Sequence, residues 1–149
     1  MVLIEAAESI PPPSERISIA ISLLKNASRF EWFLEKVTEI GVHDIQPLIC
    51  SRTEHTRFRK ERMEGILIAA MLQSQQAWLP VLHEPVALKK FIEGSTYHQK
   101  LIAHCEKEKK QFIKDLPVSG ESQILIGPEG DFTPEEIQLA ANNHFLPVT

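Results

Sequence analysis

Ile124, Leu125 and Ile126 form a short, wholly apolar run that leads straight into Gly127-Pro128-Glu129-Gly130-Asp131-Phe132, and Thr133 then opens a helix. Residue types in that order build a ligand loop. In an open α/β sheet, ligands bind in the crevice beyond the carboxyl ends of strands, and glycines let main-chain N–H and C=O groups approach closely. Gly127 and Gly130 are therefore expected where the chain touches its ligand, or Gly130 where an unusual backbone angle is needed. A bare phosphate does not suit the loop: it has neither GxxxxGK[ST] nor GxGxxG, no lysine, and two carboxylates, Glu129 and Asp131. A ligand carrying positive charge and an adenine edge fits better. His104 and Cys105 adjoin at another expected strand end, but neighbours on a strand face opposite ways and are poorly placed to share a proton. The histidines show no HxxxH or HExxH spacing, so no metal is expected.

The elements that must position this loop are written in the spacing of apolar residues. Ile17, Ile19 and Ile21 alternate with Ser18, Ala20 and Ser22, a half-buried strand that Leu23 and Leu24 extend. Ser28 and Glu31 stand at capping-box spacing, and Phe30, Phe33, Leu34, Val37 and Ile40 recur at helical spacing until Gly41. A helix capped by Ser28 is expected there. Residues 45–50 read as a second strand, in which Pro47 marks an irregular or edge position. Met63, Ile66, Leu67, Ala70, Met71, Ala77 and Trp78 form one broad face, predicting a helix over 61–78 closed by Pro80. A strand near 81–82, a short helix over 88–92, and strands over 100–104 and 123–126 follow. Thr133-Pro134-Glu135-Glu136 starts the last helix with a capping hydroxyl, a first-turn proline and glutamates at the positive end of the dipole. Leu146-Pro147-Val148 begins another strand. Strands alternating with helices mean an α/β fold with a largely parallel sheet.

At 149 residues, 43% apolar and 24% charged, the chain suits one globular domain with a sizeable core. No run approaches the roughly 18 apolar residues that span a bilayer, and the amino end lacks a basic segment followed by an apolar run. A soluble, cytoplasmic protein is expected, away from membranes. Cys50 and Cys105 lie far apart without CxxC spacing and read as reduced thiols. The net charge of -4 argues against holding nucleic acid through an overall positive field. Arg52, Arg57, Arg59, Lys60 and Arg62 crowd together all the same. They form either a local RNA patch, with Arg57 and Arg59 as contacts, or a solvated face.

The run ILIGPEGDFTPEEIQLA resembles the cofactor-loop motif of the RsmE family, SPOUT-class enzymes that methylate N3 of a uridine in small-subunit ribosomal RNA. LLKNASRFEWFLEKVTEIGV and IQPLICSRTE support the match, in the same order and at compatible spacing, so the resemblance spans nearly the whole chain. It implies a SPOUT-type trefoil-knot fold with a mostly parallel sheet flanked by helices, working as a homodimer on bacterial ribosomal RNA or the small subunit, with S-adenosylmethionine bound in a bent conformation. By position, the backbone around Ala103 and His104 forms one wall of the cofactor pocket, and Gly127, Pro128, Glu129 and Gly130 form the other. Arg52 and Gln73 match positions facing the cleft where RNA enters, and Arg52 is the candidate for stabilising the anion as N3 loses its proton.

The chain departs from the family pattern at Asp131, where glycine is usual, and at Ala69 and Gln76, where an acid and an arginine are frequent. Residues 1–14, ending in Pro11-Pro12-Pro13, read as a linker or the remnant of a preceding RNA-binding barrel, and 15–149 as the methyltransferase domain. The segment that closes the knot is expected beyond Thr149. A non-catalytic RNA- or partner-binding domain that keeps the fold is the competing reading.

Overall fold

The computed structural model describes residues 8–117 and 119–149. Most of the expected linker, residues 1–7, lies outside these. The remainder, 8–14, carries no regular structure and is exposed.

The first strand forms where expected, as β1 (Arg16–Ser22) in the middle of the sheet, but from Ser18 onward it is buried on both faces rather than half-buried, because helices pack against both sides of the sheet there. Its alternation sends Ile19 and Ile21 to one apolar core and Ala20 to another. The first helix, α1 (Ala27–Glu39), is capped two residues earlier than the capping-box spacing suggests, because the Asn26 side chain accepts the Ser28 amide. Gly41, at φ 83°, supplies the left-handed residue that turns the chain into β2 (Asp44–Ile49).

Pro47 is irregular for a visible reason. The outer side of β2 is shared by two short strands, β3 (Val81–Leu82), paired at Asp44 and Ile45, and β4 (Val86–Ala87), paired at Leu48 and Ile49. Pro47, which lacks an N–H, falls at the seam, and the Gln46 side chain donates there to the carbonyls of Pro47 and Glu84.

The second long helix, α2 (Lys60–Ser74), is shorter than its apolar pattern predicts. Gln75, at φ 57°, ends it in the left-handed region before Pro80 is reached, and Trp78 stands outside it, 46% exposed. Met63, Leu67 and Ala70 form its buried stripe. The remaining elements are α3 (Leu88–Gly94), β5 (Gln99–Ala103), a 3-10 turn at Ile113–Asp115, β6 (Glu121–Ile126), α4 (Pro134–Asn142) and β7 (Leu146–Val148).

All named strand pairs are parallel, in the order β3-β2-β1-β6-β5-β7 with β4 beside β2. Helices α1 and α2 cover one face of the β1–β2 half, with Phe30, Leu34, Val37, Met63 and Leu67 over Ile19, Ile21 and Ile45. Helices α3 and α4 belong to the opposite core, where Ile92, Phe132, Ala140 and Phe145 pack with Leu48, Ile102 and Leu125. The chain first builds outward from β1 through β2, then returns to lay β6 on the other side of β1. That reversal opens a crevice beyond the carboxyl ends of β1 and β6, where open α/β sheets bind ligands.

Candidate functional site

The loop after β6 stands at this switch point. The Asp131 amide donates to the Pro128 carbonyl at 2.9 Å, closing a turn over Glu129 and Gly130. Phe132 then dives into the core, 1% exposed, and a Cβ on Gly127 would lie 3.1 Å from its ring and 3.2 Å from its backbone nitrogen. Gly127 is thus favoured by the loop's own packing, because a side chain there would press on Phe132, in addition to any approach of ligand. Gly130 does not adopt a left-handed backbone; a Cβ there would meet only the flexible Arg52 side chain, at 3.3 Å. The unusual angle sits one residue later, at Asp131, with φ 61°. Aspartate tolerates this region better than most side chains, which is how the position does without a glycine.

Carboxylates from this loop fasten the neighbouring strand ends together. Glu129 Oε1 accepts the main-chain N–H of Lys25, just after β1, at 3.0 Å. Asp131 Oδ2 accepts the Cys105 N–H, just after β5, at 2.7 Å, while its other oxygen accepts the Phe132 N–H. Glu136 accepts the Ser51 N–H at 2.7 Å and the Thr133 N–H at 2.9 Å. It closes the capping box of α4 and holds the end of β2 in one stroke. Sequence reasoning assigned Glu136 only to the helix dipole; the Thr133-x-x-Glu136 spacing was the signal for the box.

Arg52 crosses the same junction. Its Nη1 donates to the carbonyl of Gly130 at 2.5 Å and points to that of Phe132 at 3.4 Å. Thr53 Oγ1 accepts the Cys50 N–H and pairs with Ser22 Oγ, both at 2.8 Å. Burial, and secondarily the charge of Glu136, pushes the Cys50 thiol up to about 12.

The structure therefore brings Arg52 and Gly127 to Gly130 into one place, with Ala103 and His104 at the neighbouring end of β5. His104 is buried, with Nε2 2.7 Å from Glu108 but off the hydrogen-bond line, and its carbonyl accepts from Lys110 Nζ. Cys105 is exposed, so the two do not face each other. The imidazole forms part of the lining of a groove of about 330 Å³ between α4 and the ends of β5 and β7.

Gln73 is not brought to the loop. It lies one residue before the end of α2, and that end sits at the amino ends of the strands, where Gln76 donates to the Glu39 carbonyl at 2.7 Å. Within one chain, the length of α2 separates it from Arg52.

The basic cluster divides. Arg62 is bound to Glu31 at 2.6 Å, which holds that carboxyl below its ordinary range, and Lys60 lies 3.6 Å from Glu84. Arg57 and Arg59 are exposed and form no ion pair among the described residues. No metal-binding group of histidine, cysteine and acidic residues occurs among the described residues, and no described helix is long and apolar enough to cross a membrane.

Residues 11–149 match the RNA methyltransferase domain family. The chain belongs to that family. The ribosomal RNA small subunit methyltransferase E of Synechocystis is 30% identical over 140 residues, which cover 89% of this chain and 46% of that protein. Its counterpart in Mesomycoplasma hyopneumoniae is 29% identical, covering 99% of this chain and 66% of that protein. A crystal structure of the ribosomal RNA small subunit methyltransferase E from Neisseria gonorrhoeae, bound to S-adenosyl methionine, superposes with a TM-score of 0.82 at 28% identity, over 91% of this chain and 57% of that one. This RNA methyltransferase domain thus spans about half to two thirds of the length of those relatives. The RsmE resemblance and the SPOUT-type parallel sheet expected from it are both borne out.

Proposed function

We propose that this domain transfers the methyl group of S-adenosylmethionine to N3 of a uridine in small-subunit ribosomal RNA, as part of a cytoplasmic homodimer with a knotted chain path. The observation that carries the reading is the set of strand-end loops locked around the β1/β6 switch point, with Glu129, Asp131 and Arg52 on one junction. The donor set fits the cofactor: two carboxylates beside glycine-loop main chain suit a cation with an adenine edge, and no lysine of the loop competes for it. The backbone at Ala103 and His104 and at Gly127 to Gly130 would hold it. When bound, it supplies a methyl group activated by positively charged sulfur.

The protein's own contribution is placement, since an in-line displacement gains most from holding the reacting atoms in register. The hydrogen bonds from Lys25, Cys105 and Ser51 to loop and helix carboxylates fix the strand ends before any ligand arrives. Arg52 Nε and Nη2 make no hydrogen bond to the described residues and remain free to stabilise the uracil anion as N3 gives up its proton. Arg57 and Arg59 would meet RNA phosphates. The exposed Trp32, Ile40, Ile68, Leu72 and Trp78 provide apolar surface for pairing of two copies.

Calorimetry with S-adenosylmethionine, followed by methylation of small ribosomal subunits and mass spectrometry of the nucleosides, tests the reading. Cofactor binding and 3-methyluridine are expected; a methyl group on another atom would remove the uridine-N3 assignment. A non-catalytic binding domain is favoured by one observation, the capture of the Cys105 amide by Asp131 at the pocket wall. That alternative predicts no heat on adding the cofactor.

A further inference from the structure

Toward its amino end, the sheet face that meets α3 and α4 carries a row of polar side chains instead of apolar ones. Asp44, Ser18, Gln123 and Lys100 stand in register on β2, β1, β6 and β5. Ser18 and Gln123 are only 2% exposed. Strands of a covered parallel sheet are ordinarily apolar on such a face, and buried polar groups need partners. The segment after α3 supplies some of them: Ser95 Oγ donates to Gln123 Oε1 at 2.6 Å, and Tyr97 Oη donates to Asp44 Oδ2 at 3.0 Å. Beside the row lies a pocket of about 280 Å³, lined by Gln46, Lys90, Phe91, Ser95, Tyr97 and Gln123 among others.

Hydrogen bonding inside this pocket is one-sided. The Gln46 amide nitrogen donates to the carbonyls of Pro47 and Glu84, at 2.9 and 2.7 Å, which fixes the amide and leaves Oε1 without a donor among the described residues. Tyr97 and Ser95 have given their hydroxyl protons to Asp44 and Gln123, so both oxygens have lone pairs left to offer. Burial, and after it the charge of Asp44, holds the Tyr97 phenol above its ordinary range. Its oxygen is therefore that of a neutral phenol polarised by a carboxylate. At the rim, Lys90 is exposed and forms no ion pair among the described residues, since Glu93 lies 4.0 Å from Lys89 instead. We propose that this pocket binds a free α-amino acid with an aliphatic side chain: its ammonium donates to Gln46 and Tyr97, its carboxylate meets Lys90, and its side chain lies against Phe91. Acceptors inside and a lone cation outside select a small molecule with donors at one end and negative charge at the other. An anion alone would leave the inner oxygens without donors, and an amine alone would leave Lys90 unmet. Size agrees, because pockets for drug-sized molecules run to roughly 300–1,000 Å³. The site shares no residue with the glycine loop and does not rest on the methyl-transfer reading.

The test is an NMR titration of the protein that follows the side-chain amide signals of Gln46 and Gln123 and the ring signals of Tyr97. The probes are leucine, leucinamide, which lacks the carboxylate, and 4-methylpentanoate, which lacks the ammonium. Leucine is expected to shift all three residues at millimolar concentration, leucinamide to bind more weakly, and 4-methylpentanoate to shift none. Lys90→Gln, at an exposed position that leaves the fold intact, should weaken leucine about two- to fivefold and leave leucinamide as in the parent. Tyr97→Phe should weaken both about tenfold or more. No shift with leucine at tens of millimolar, equal shifts with 4-methylpentanoate, or unchanged leucine affinity in Lys90→Gln would each overturn the proposal.

Discussion

The two ends of the sheet are both polar, yet they are built on different partners. At the carboxyl ends, Glu129, Asp131 and Glu136 accept main-chain amides of Lys25, Cys105 and Ser51, joining segments 104, 26 and 85 residues apart in sequence. At the amino ends, the Asp44 carboxylate accepts from side chains: Tyr97 at 3.0 Å, His83 at 3.1 Å and Arg16 at 3.4 Å. A carboxylate on an amide fixes the path of the backbone; one on a long side chain leaves rotamers to be chosen. The difference matches the roles. The end proposed to bind the cofactor is held in shape in advance, whereas the opposite end keeps side chains that can adjust.

The largest effect that would break this contrast is expected from Gly127→Val. Its new side chain collides with buried Phe132, and overpacking of this kind costs about 1–3 kcal/mol. The melting temperature should fall by about 3–10 °C, and cofactor affinity should be lost with it. Unchanged stability with lost affinity would return Gly127 to a purely ligand-facing role.

Smaller and unequal effects are expected from Glu136→Gln and Asp44→Asn. The first removes a charged acceptor from two main-chain amides and should cost about 1–3 kcal/mol. The second acts on partly exposed pairs, where ion pairing contributes about 1 kcal/mol or less. Equal losses by chemical denaturation would erase the distinction between the two ends.

Cys50 sharpens the comparison. Its thiol binds a proton more tightly in the folded protein, so this contribution is complete below the ordinary value of 9.0 and is lost as pH rises toward about 12. With the Glu136 charge gone, the thiol should come down and alkylate faster at pH 9 than in the parent, with exposed Cys105 as internal reference.

Periodicity made the central architecture legible. The alternation around Ile19 and Ile21 and the run Ile124 to Ile126 located strands now paired side by side, and the GPEG run located the loop at the switch point that is proposed to bind the cofactor. Misreadings came where a local pattern competed with something unseen. Asn26 took the cap expected of Ser28, and a left-handed Gln75 stopped α2 inside an apolar pattern that ran on to Trp78. Gln73 joined the expected site by position, but which end of the sheet a helical residue reaches depends on where the helix stops. Contacts such as Asp131 to Cys105 or Glu136 to Ser51 leave no periodic trace, because they join loops whose proximity exists only once the sheet is ordered.

That ordering has a history within the folding of each molecule. Strands β1 and β2 come from the first half of the chain, so their pairing closes a short loop, whereas β6 must be inserted between β1 and β5 about a hundred residues after β1 was made. Closing so long a loop precedes its reward, and non-local parallel pairing is slow for that reason. Until β6 arrives, β1 keeps an unpaired edge rich in isoleucine, a template for the wrong partner. The glycine loop travels on the end of β6, so nascent molecules can have a helical layer and half a sheet and still have no site.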